Sequence, residues 1–471
     1  MKEFNTLSGD FFVYSDIFSE GRPAYWSGYF FTRPYTKLLS RQVASKLRAV
    51  EMVYSIGLAW TRTGAHSIPS DVLHSLYKDL VESRRALALF QHHDAITGTS
   101  KEFVMNDYEF KLNRALKKLN NLETILVLYL IQEEKGEIML NQPLLHTNPR
   151  NKGEDDGEEV VLDLRSGQHQ KVILYNTLAH KVQRIGSVRT NLDSVCVEDQ
   201  NGNMLEIQVA PVLNVVKDPK LDFSTFDVWF GISLEPLSLS VFTIRSCKVD
   251  RRPTRIYCLR CPESEKFPGI QLKGIPRGAV QLENQIYKLL FDENSKQLKT
   301  VTNKVNGVRK EVNLQFSSYT SEFYRSGAYL FSVEDDDGVP RETPLFTAAD
   351  ISDTLIVSGP VFSEIRVVWQ VVGEGGPATF LHGVRLVHDT GPLSEAVHIQ
   401  NMFDMGPSPN FRDTEFFMRF ATELKNGAER KMFTDQAGLG MVERTYAEQA
   451  HIEGRYHLQL KVSSLDSLAR Y

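Results

Sequence analysis

The hydrophobic rhythm of the chain changes once, near Lys152. Before that point apolar residues recur at steps of three and four in three stretches. The first carries Leu39, Val43, Leu47, Val50 and Tyr54, and the second Leu73, Leu76, Leu80, Leu87 and Phe90. The third carries Met105, Tyr108, Leu112, Leu119, Leu122 and Leu126. This spacing puts the apolar side chains on one face of a helix. Pro69 and Ser70 signal the start of the second helix, and Thr99 with Glu102 fits a capping box at the start of the third. Short connections between long amphipathic helices predict an antiparallel three-helix bundle.

After Lys152 the apolar segments are short and β-branched: "VVLDL", "KVILYN", "SVFTIRS", "IRVVWQVV" and "VRLVHDT". Gly, Pro, Asn or Asp bound them, and no βαβ alternation occurs, so antiparallel sheets in sandwiches are predicted. The predicted class is α+β, with the bundle over 33–136 and mostly antiparallel β-sandwich domains over 160–250 and 265–471. Residues 137–159, ending in the run "GEDDGEE", read as an acidic linker. Arg252 to Pro276, rich in Pro, Gly and charge, reads as the separator of the two β modules. Met1 to Phe31 is aromatic and irregular and cannot form a core alone. Tyr14, Tyr25, Trp26, Tyr29 and Phe30 are therefore expected to expose an apolar patch that a partner surface would cover.

Composition narrows the function classes. The 471 residues, 42% hydrophobic and 24% charged, suit a soluble globular protein of about two to four domains. A net charge of -5 provides no electrostatic reason to expect nucleic acid as a partner. The longest apolar run, "TILVLYLI", is too short to cross a bilayer, and the opening residues lack the shape of a signal peptide. Four cysteines are too few for a disulfide scaffold. Cys258 and Cys261 form "CLRC", but no second pair follows to complete a structural zinc site, leaving free thiols or one local disulfide.

The candidate chemistry sits between the second and third helical patterns, in "LFQHHDAITGT" (Leu89 to Thr99). His92, His93 and Asp94 have metal-ligand chemistry. Adjacent histidines are expected to point in different directions, so one of the two at most would hold a given ion. The alternative is a histidine at a helix C-terminus and an aspartate capping the next helix.

A resemblance bears on that choice. "LSGDFFVYSD", "YWSGYFFTRP", "RRALALFQHHDAITGTSKEFVMNDY" and, downstream, "RSGAYLF" resemble the Golgi-type α-mannosidase II branch of glycoside hydrolase family 38. The likeness is nearly continuous from Thr6 to about Leu112 and patchy beyond it. The family implies a zinc-dependent retaining glycosidase that trims α1,3- and α1,6-linked mannose from N-glycans, with one zinc held by two histidines and two aspartates. On the resemblance His93 is a zinc ligand, Asp94 hydrogen-bonds mannose hydroxyls, and Trp26 lines the sugar cleft. His92 matches no ligand and is given a packing role. Tyr319, ahead of "RSGAYLF", is the tyrosine assigned to the pocket, the alternative being a tyrosine on a sheet surface.

Retaining hydrolysis needs a nucleophile and an acid/base carboxylate roughly 5 Å apart. The family carries both, with an H-x-D zinc pair, in an N-terminal α/β domain upstream of the "LSGDFF" segment. No catalytic carboxylate is assigned in this chain, and residues 1–32 read as a remnant of that domain. An incomplete α-mannosidase is thus expected, inactive and without stoichiometric zinc by itself. The resemblance further implies a Golgi membrane protein facing the lumen, its anchor carried only by the complete protein. The alternative is a non-catalytic paralogue with a binding or structural role.

Overall fold

The computed structural model describes residues 15–18, 22–64, 68–131, 160–165, 169–214, 220–248, 252–259, 261, 267, 269–323, 326–336, 339–373, 376–388, 391–404, 413–425, 431–435, 440–445, 450–452, 455–457 and 461–464. The acidic linker and the side chains of Tyr14 and Tyr25 lie outside the described residues. The architecture is α+β, with four helices followed by mostly antiparallel sheets.

A hairpin of Ser15–Phe18 and Arg22–Tyr25 leads into the one-turn helix α1, Gly28–Phe31. Three long helices follow: α2 (Pro34–Thr63), α3 (Ser70–Phe90) and α4 (Glu102–Ile131). Each packs on the other two. Their shared core holds Leu39, Val43, Leu47, Val50, Leu73, Leu76, Leu80, Phe90, Leu112, Leu119, Leu122 and Leu126, all buried. Those are the positions the periodicity marks, because a long helix presents one face wherever its partners lie. The capping box does not form. The helix α4 begins at Glu102, and the Thr99 hydroxyl donates to Asp94 Oδ1 instead.

Ile173, Tyr175 and Leu239 of the β region pack against this helical core. There Glu123, buried on α4, pairs with Lys46 at 2.7 Å and accepts the Tyr175 hydroxyl. The first β region has a four-stranded sheet, in the order Val161–Leu162, Val182–Thr190, Lys220–Leu234, Ile207–Asn214. A three-stranded sheet of Gln170–Asn176, Ser238–Ser246 and Val195–Glu198 accompanies it.

The stretch read as a separator contributes two strands. Thr254–Cys258 and Ile270–Gly274 pair in parallel and join a six-stranded sheet with Ile351–Ser358, Phe362–Gly373, Gly376–Val387 and His398–Asp404. Ile256, Cys258 and Ile270 sit in one core with Val228, Trp229 and Phe230 of the first β region and Leu355, Val357 and Phe362 of the second. The polar residues of the stretch are concentrated in sequence between the two strands, while the strands' alternate apolar residues point inward. Gln208, fully buried in the first region, accepts the backbone N–H groups of Val361 and Phe362 across this junction at 3.1 and 3.0 Å. The parallel pairing recurs where Val161–Leu162 lies beside Arg189–Thr190.

The cysteines form two disulfides, Cys196–Cys247 and Cys258–Cys261, with none free. The second matches the local pair. The first was not anticipated, because it joins strands whose neighbourhood is set by the sheet, 51 residues apart. Among the described residues no helix is long and apolar enough to cross a membrane.

Candidate functional site

The α3–α4 corner is built by its own backbone. After Phe90 the chain turns through Gln91–Ser100, with Ala95 N–H donating to His92 O at 2.8 Å and Ser100 N–H to Asp94 O at 2.9 Å. Gly98 has φ +75, and a Cβ there would lie 2.4 Å from Thr32 O, so glycine is required twice over. The Arg33 guanidinium donates to Gly98 O and Ser100 O, and Lys37 Nζ to Ile96 O at 2.8 Å. Arg33 is itself left-handed, with φ 51, and its position at the start of α2 is tied to these contacts. Burial, and then the Arg33 charge, lowers the Lys37 ammonium to about 8.

This corner brings His92, His93 and Asp94 together. Asp94 Oδ2 lies 3.5 Å from Nε2 of each histidine, and one ligand atom from each residue falls within 4.8 Å of the others. The imidazoles converge on one oxygen, with ring centroids 4.3 Å apart, where divergence was expected. A turn lacks the fixed angular step of a helix or strand, so neighbouring side chains can face the same way. His93 is 83% exposed and Asp94 35% exposed.

The other oxygen of Asp94 is tethered. Its Oδ1 accepts from Thr99 Oγ1 at 3.1 Å and from the Tyr329 hydroxyl at 3.2 Å. Desolvation pushes this carboxyl up; the Thr99 hydrogen bond, the His93 charge, the Tyr329 hydroxyl and His92 together outweigh it and hold it below its usual range. The carboxylate is therefore charged at neutral pH and still faces solvent.

Tyr329 arrives from the second β region on a loop that docks against α1. Tyr29 N–H donates to Tyr329 O at 3.3 Å, and Thr32 Oγ1 to Ala328 O at 2.8 Å. A Cβ on Gly28 would meet Gly327 O at 2.9 Å, so the two backbones touch only because glycine stands there. Trp26 is half-buried and meets Tyr329 edge to face at 5.8 Å between centroids. Beside them Phe30 and Phe31 are 45% and 50% exposed, whereas Trp26 and Tyr29 are half-buried; the expected apolar patch is thus only partly open.

Tyr319 is placed elsewhere. It lies on the strand Arg309–Thr320, opposite Glu342 and Glu415, with its ring stacked on Phe417 at 4.6 Å. The tyrosine that reaches Asp94 is ten positions on, within "SGAYLF" itself. The close backbone approach depends on Gly28, on the far side of the contact, and no local feature of the loop marks Tyr329.

In a tetrahedral shell, ligand atoms bound at about 2.1 Å lie ~3.4 Å apart. The ligand atoms of the three residues lie within 4.8 Å of one another, so an ion would draw them together by side-chain rotation, and the two imidazoles and carboxylate suit a borderline cation such as zinc. The residues fit the metal that the family implies.

Residues 24–127 match the family model for the alpha mannosidase middle domain, and residues 282–462 the glycosyl hydrolases family 38 C-terminal domain. Alpha-mannosidase 2 of Spodoptera frugiperda is 33% identical over 470 residues, covering 96% of this chain and 40% of the relative. Alpha-mannosidase 2 of Homo sapiens is 30% identical, covering 92% of this chain and 36% of the relative. The chain thus spans about two fifths of the length of these relatives. The crystal structure of an alpha-mannosidase from Enterococcus faecalis V583 covers 89% of this chain and 46% of its own, with a TM-score of 0.51 at 13% identity, a likeness of fold alone. The His-His-Asp corner lies in the first matched domain and the Tyr329 loop in the second, and the chain that carries both belongs to glycoside hydrolase family 38.

Proposed function

We propose that this chain supplies one wall of the active site of a zinc-dependent retaining α-mannosidase that trims α1,3- and α1,6-linked mannose from N-glycans. The observation that carries this reading is the meeting of His93, Asp94 and the Tyr329 hydroxyl at one exposed corner. His93 would hold the zinc through a neutral imidazole, with His92 beside it. When bound, the ion would supply Lewis acidity toward sugar hydroxyls. Asp94, kept ionised by its neighbours, would accept hydrogen bonds from mannose while Thr99 and Tyr329 fix its orientation. The half-buried Trp26 would offer an apolar face to the pyranose ring, and the tyrosine role passes from Tyr319 to Tyr329.

The reading assigns the nucleophile, the acid/base and the remaining zinc ligands to the part of the family's proteins that this chain does not span. The antiparallel bundle and the β-sandwich layers then serve as the scaffold that brings the corner and the Tyr329 loop together. A Golgi lumenal location is supported by the two disulfides, which persist in oxidising compartments.

The test joins this chain to the family's N-terminal catalytic segment and measures zinc content beside α-mannoside hydrolysis. The chain by itself should show neither stoichiometric zinc nor hydrolysis, and the joined protein both. His93→Ala should lose metal and activity together. Asp94→Asn should keep the metal and weaken mannose binding roughly 10- to 100-fold, the ~1.5–3 kcal/mol of hydrogen bonds to a charged group. Full zinc and full activity in His93→Ala would sink the metal assignment. A zinc-loaded joined protein that hydrolyses nothing would favour the non-catalytic paralogue.

A further inference from the structure

Where the two β regions meet, the packing leaves a cavity of about 220 Å³. Its walls include Arg184 from the first region and Glu364, Gly383, Arg385, His398 and Gln400 from the second. At that size it is smaller than the roughly 300–1,000 Å³ pockets that take drug-sized molecules. A small group is what it can enclose.

The charges in and under this cavity do not balance. Glu364 is 2% exposed and is the one carboxylate among the described residues that line it. Its Oε2 accepts from both Arg366 and Arg385 at 3.0 Å, and those guanidiniums are 19% and 22% exposed. Two guanidiniums against one carboxylate leave a positive charge over, on side chains that are only partly hydrated. The Cζ of Arg385 also lies over the Phe362 ring, 3.9 Å from its centre, a second contact that holds the guanidinium in place. Arg184 adds another positive charge from the facing sheet, with no ion pair or side-chain hydrogen bond among the described residues. Gly383 keeps the floor clear, since a Cβ there would crowd Glu364 Oε1 at 3.2 Å.

The geometry points to an oxyanion site, taking a phosphate, sulfate or carboxylate group between Arg184 and Arg385. Paired guanidiniums present planar donor forks that match such groups, and a bound anion neutralises the excess charge of the Arg366–Glu364–Arg385 cluster. The site is separate from the His-His-Asp corner and stands or falls independently of the mannosidase reading. Its occupant would tie the first β region to the second.

Calorimetric titration of the full chain with inorganic phosphate, sulfate and acetate, each against chloride at equal ionic strength, tests it. Saturable binding is expected for at least one oxyanion, weakened at least tenfold in Arg184→Gln, which changes an exposed side chain. Arg184→Lys, which keeps the charge and loses the fork, should fall between the two. Phosphate or sulfate above acetate would assign a tetrahedral ester group as the natural occupant, and the reverse order a carboxylate. Heats no larger than those of chloride, or binding unchanged in Arg184→Gln, would overturn the site.

Discussion

The helical unit and the β regions use their hydrophobic residues differently. The helical core is assembled almost wholly from α2, α3 and α4, whose apolar faces recur every few residues. The core at the β junction draws on residues from Leu164 to Phe362; the strand Lys220–Leu234 supplies six of them, and the rest come from strands scattered over both β regions. A helix carries its buried face along its own length, whereas a strand's inward residues have no core until distant strands arrive. The first unit can be damaged locally, and the second fails as a whole.

Paired truncations test that contrast most severely. Leu119→Ala and Phe362→Ala each empty a fully buried position and should cost about 2–5 kcal/mol and 3–5 kcal/mol, respectively. Hydrogen exchange should show Leu119→Ala loosening the helices while the β regions keep their protection. Phe362→Ala, which removes the edge-to-face partner of Trp229, should loosen Val182–Thr190 and Gly376–Val387 together. If only the second β region responded, the shared core would have to be abandoned.

The disulfides sharpen the same point at a smaller scale. Replacing Cys196 and Cys247 by serine releases a loop of 51 residues, and the chain-entropy relation puts the loss at about 4 kcal/mol. Replacing Cys258 and Cys261, only 3 apart, should cost about 2 kcal/mol. Denaturant midpoints of the two double variants, measured without reductant, decide it. Equal losses would mean that the first bond constrains little in the unfolded chain.

The smallest expected effect is a dependence on pH within the β region. His382 is buried against Phe316 and Trp369, and its Nδ1 meets Asn401 Oδ1 at 2.7 Å. Its Nε2 has no hydrogen-bond partner among the described residues, and burial, only partly opposed by Asn401, lowers its affinity for a proton. Because the folded value lies below the unfolded one, the unfolded chain takes up a proton first. Stability is fully present above about pH 6.5 and falls as the pH drops below it, by at most ~1.4 kcal/mol per pH unit from one group. Wild-type and His382→Gln stability curves should therefore converge on acidification from pH 7 to pH 5. Parallel curves would remove His382 from the account. The helical core has no equivalent buried histidine among the described residues, so its own acid response should be flatter.

The site was legible to different depths at its different parts. That His93 and Asp94 stand together at a corner could be read, because they are adjacent positions at a helix end. Thr99 misled, since a capping pattern and a carboxylate tether use the same hydroxyl, and the fold chose the tether. Tyr319 was taken over Tyr329 because nothing along the strand says which tyrosine faces the corner 235 residues earlier. Strand alternation places Tyr319 on its sheet beside Phe417, while the loop after it is free to turn toward Gly28.

By itself the sequence determined the three long helices, their buried faces, the change to β structure and the place of the His-His-Asp triplet at the α3–α4 corner. Each depends on residues a few positions apart, where backbone geometry converts spacing directly into direction. Tertiary structure alone decided that His92 and His93 converge, that Tyr329 closes on Asp94, and that residues 254–274 join the two β regions. It also decided that Cys196 meets Cys247 and that Arg184 and Arg385 line one cavity. These depend on which strands become neighbours, and that choice is made by the summed burial of the whole β core.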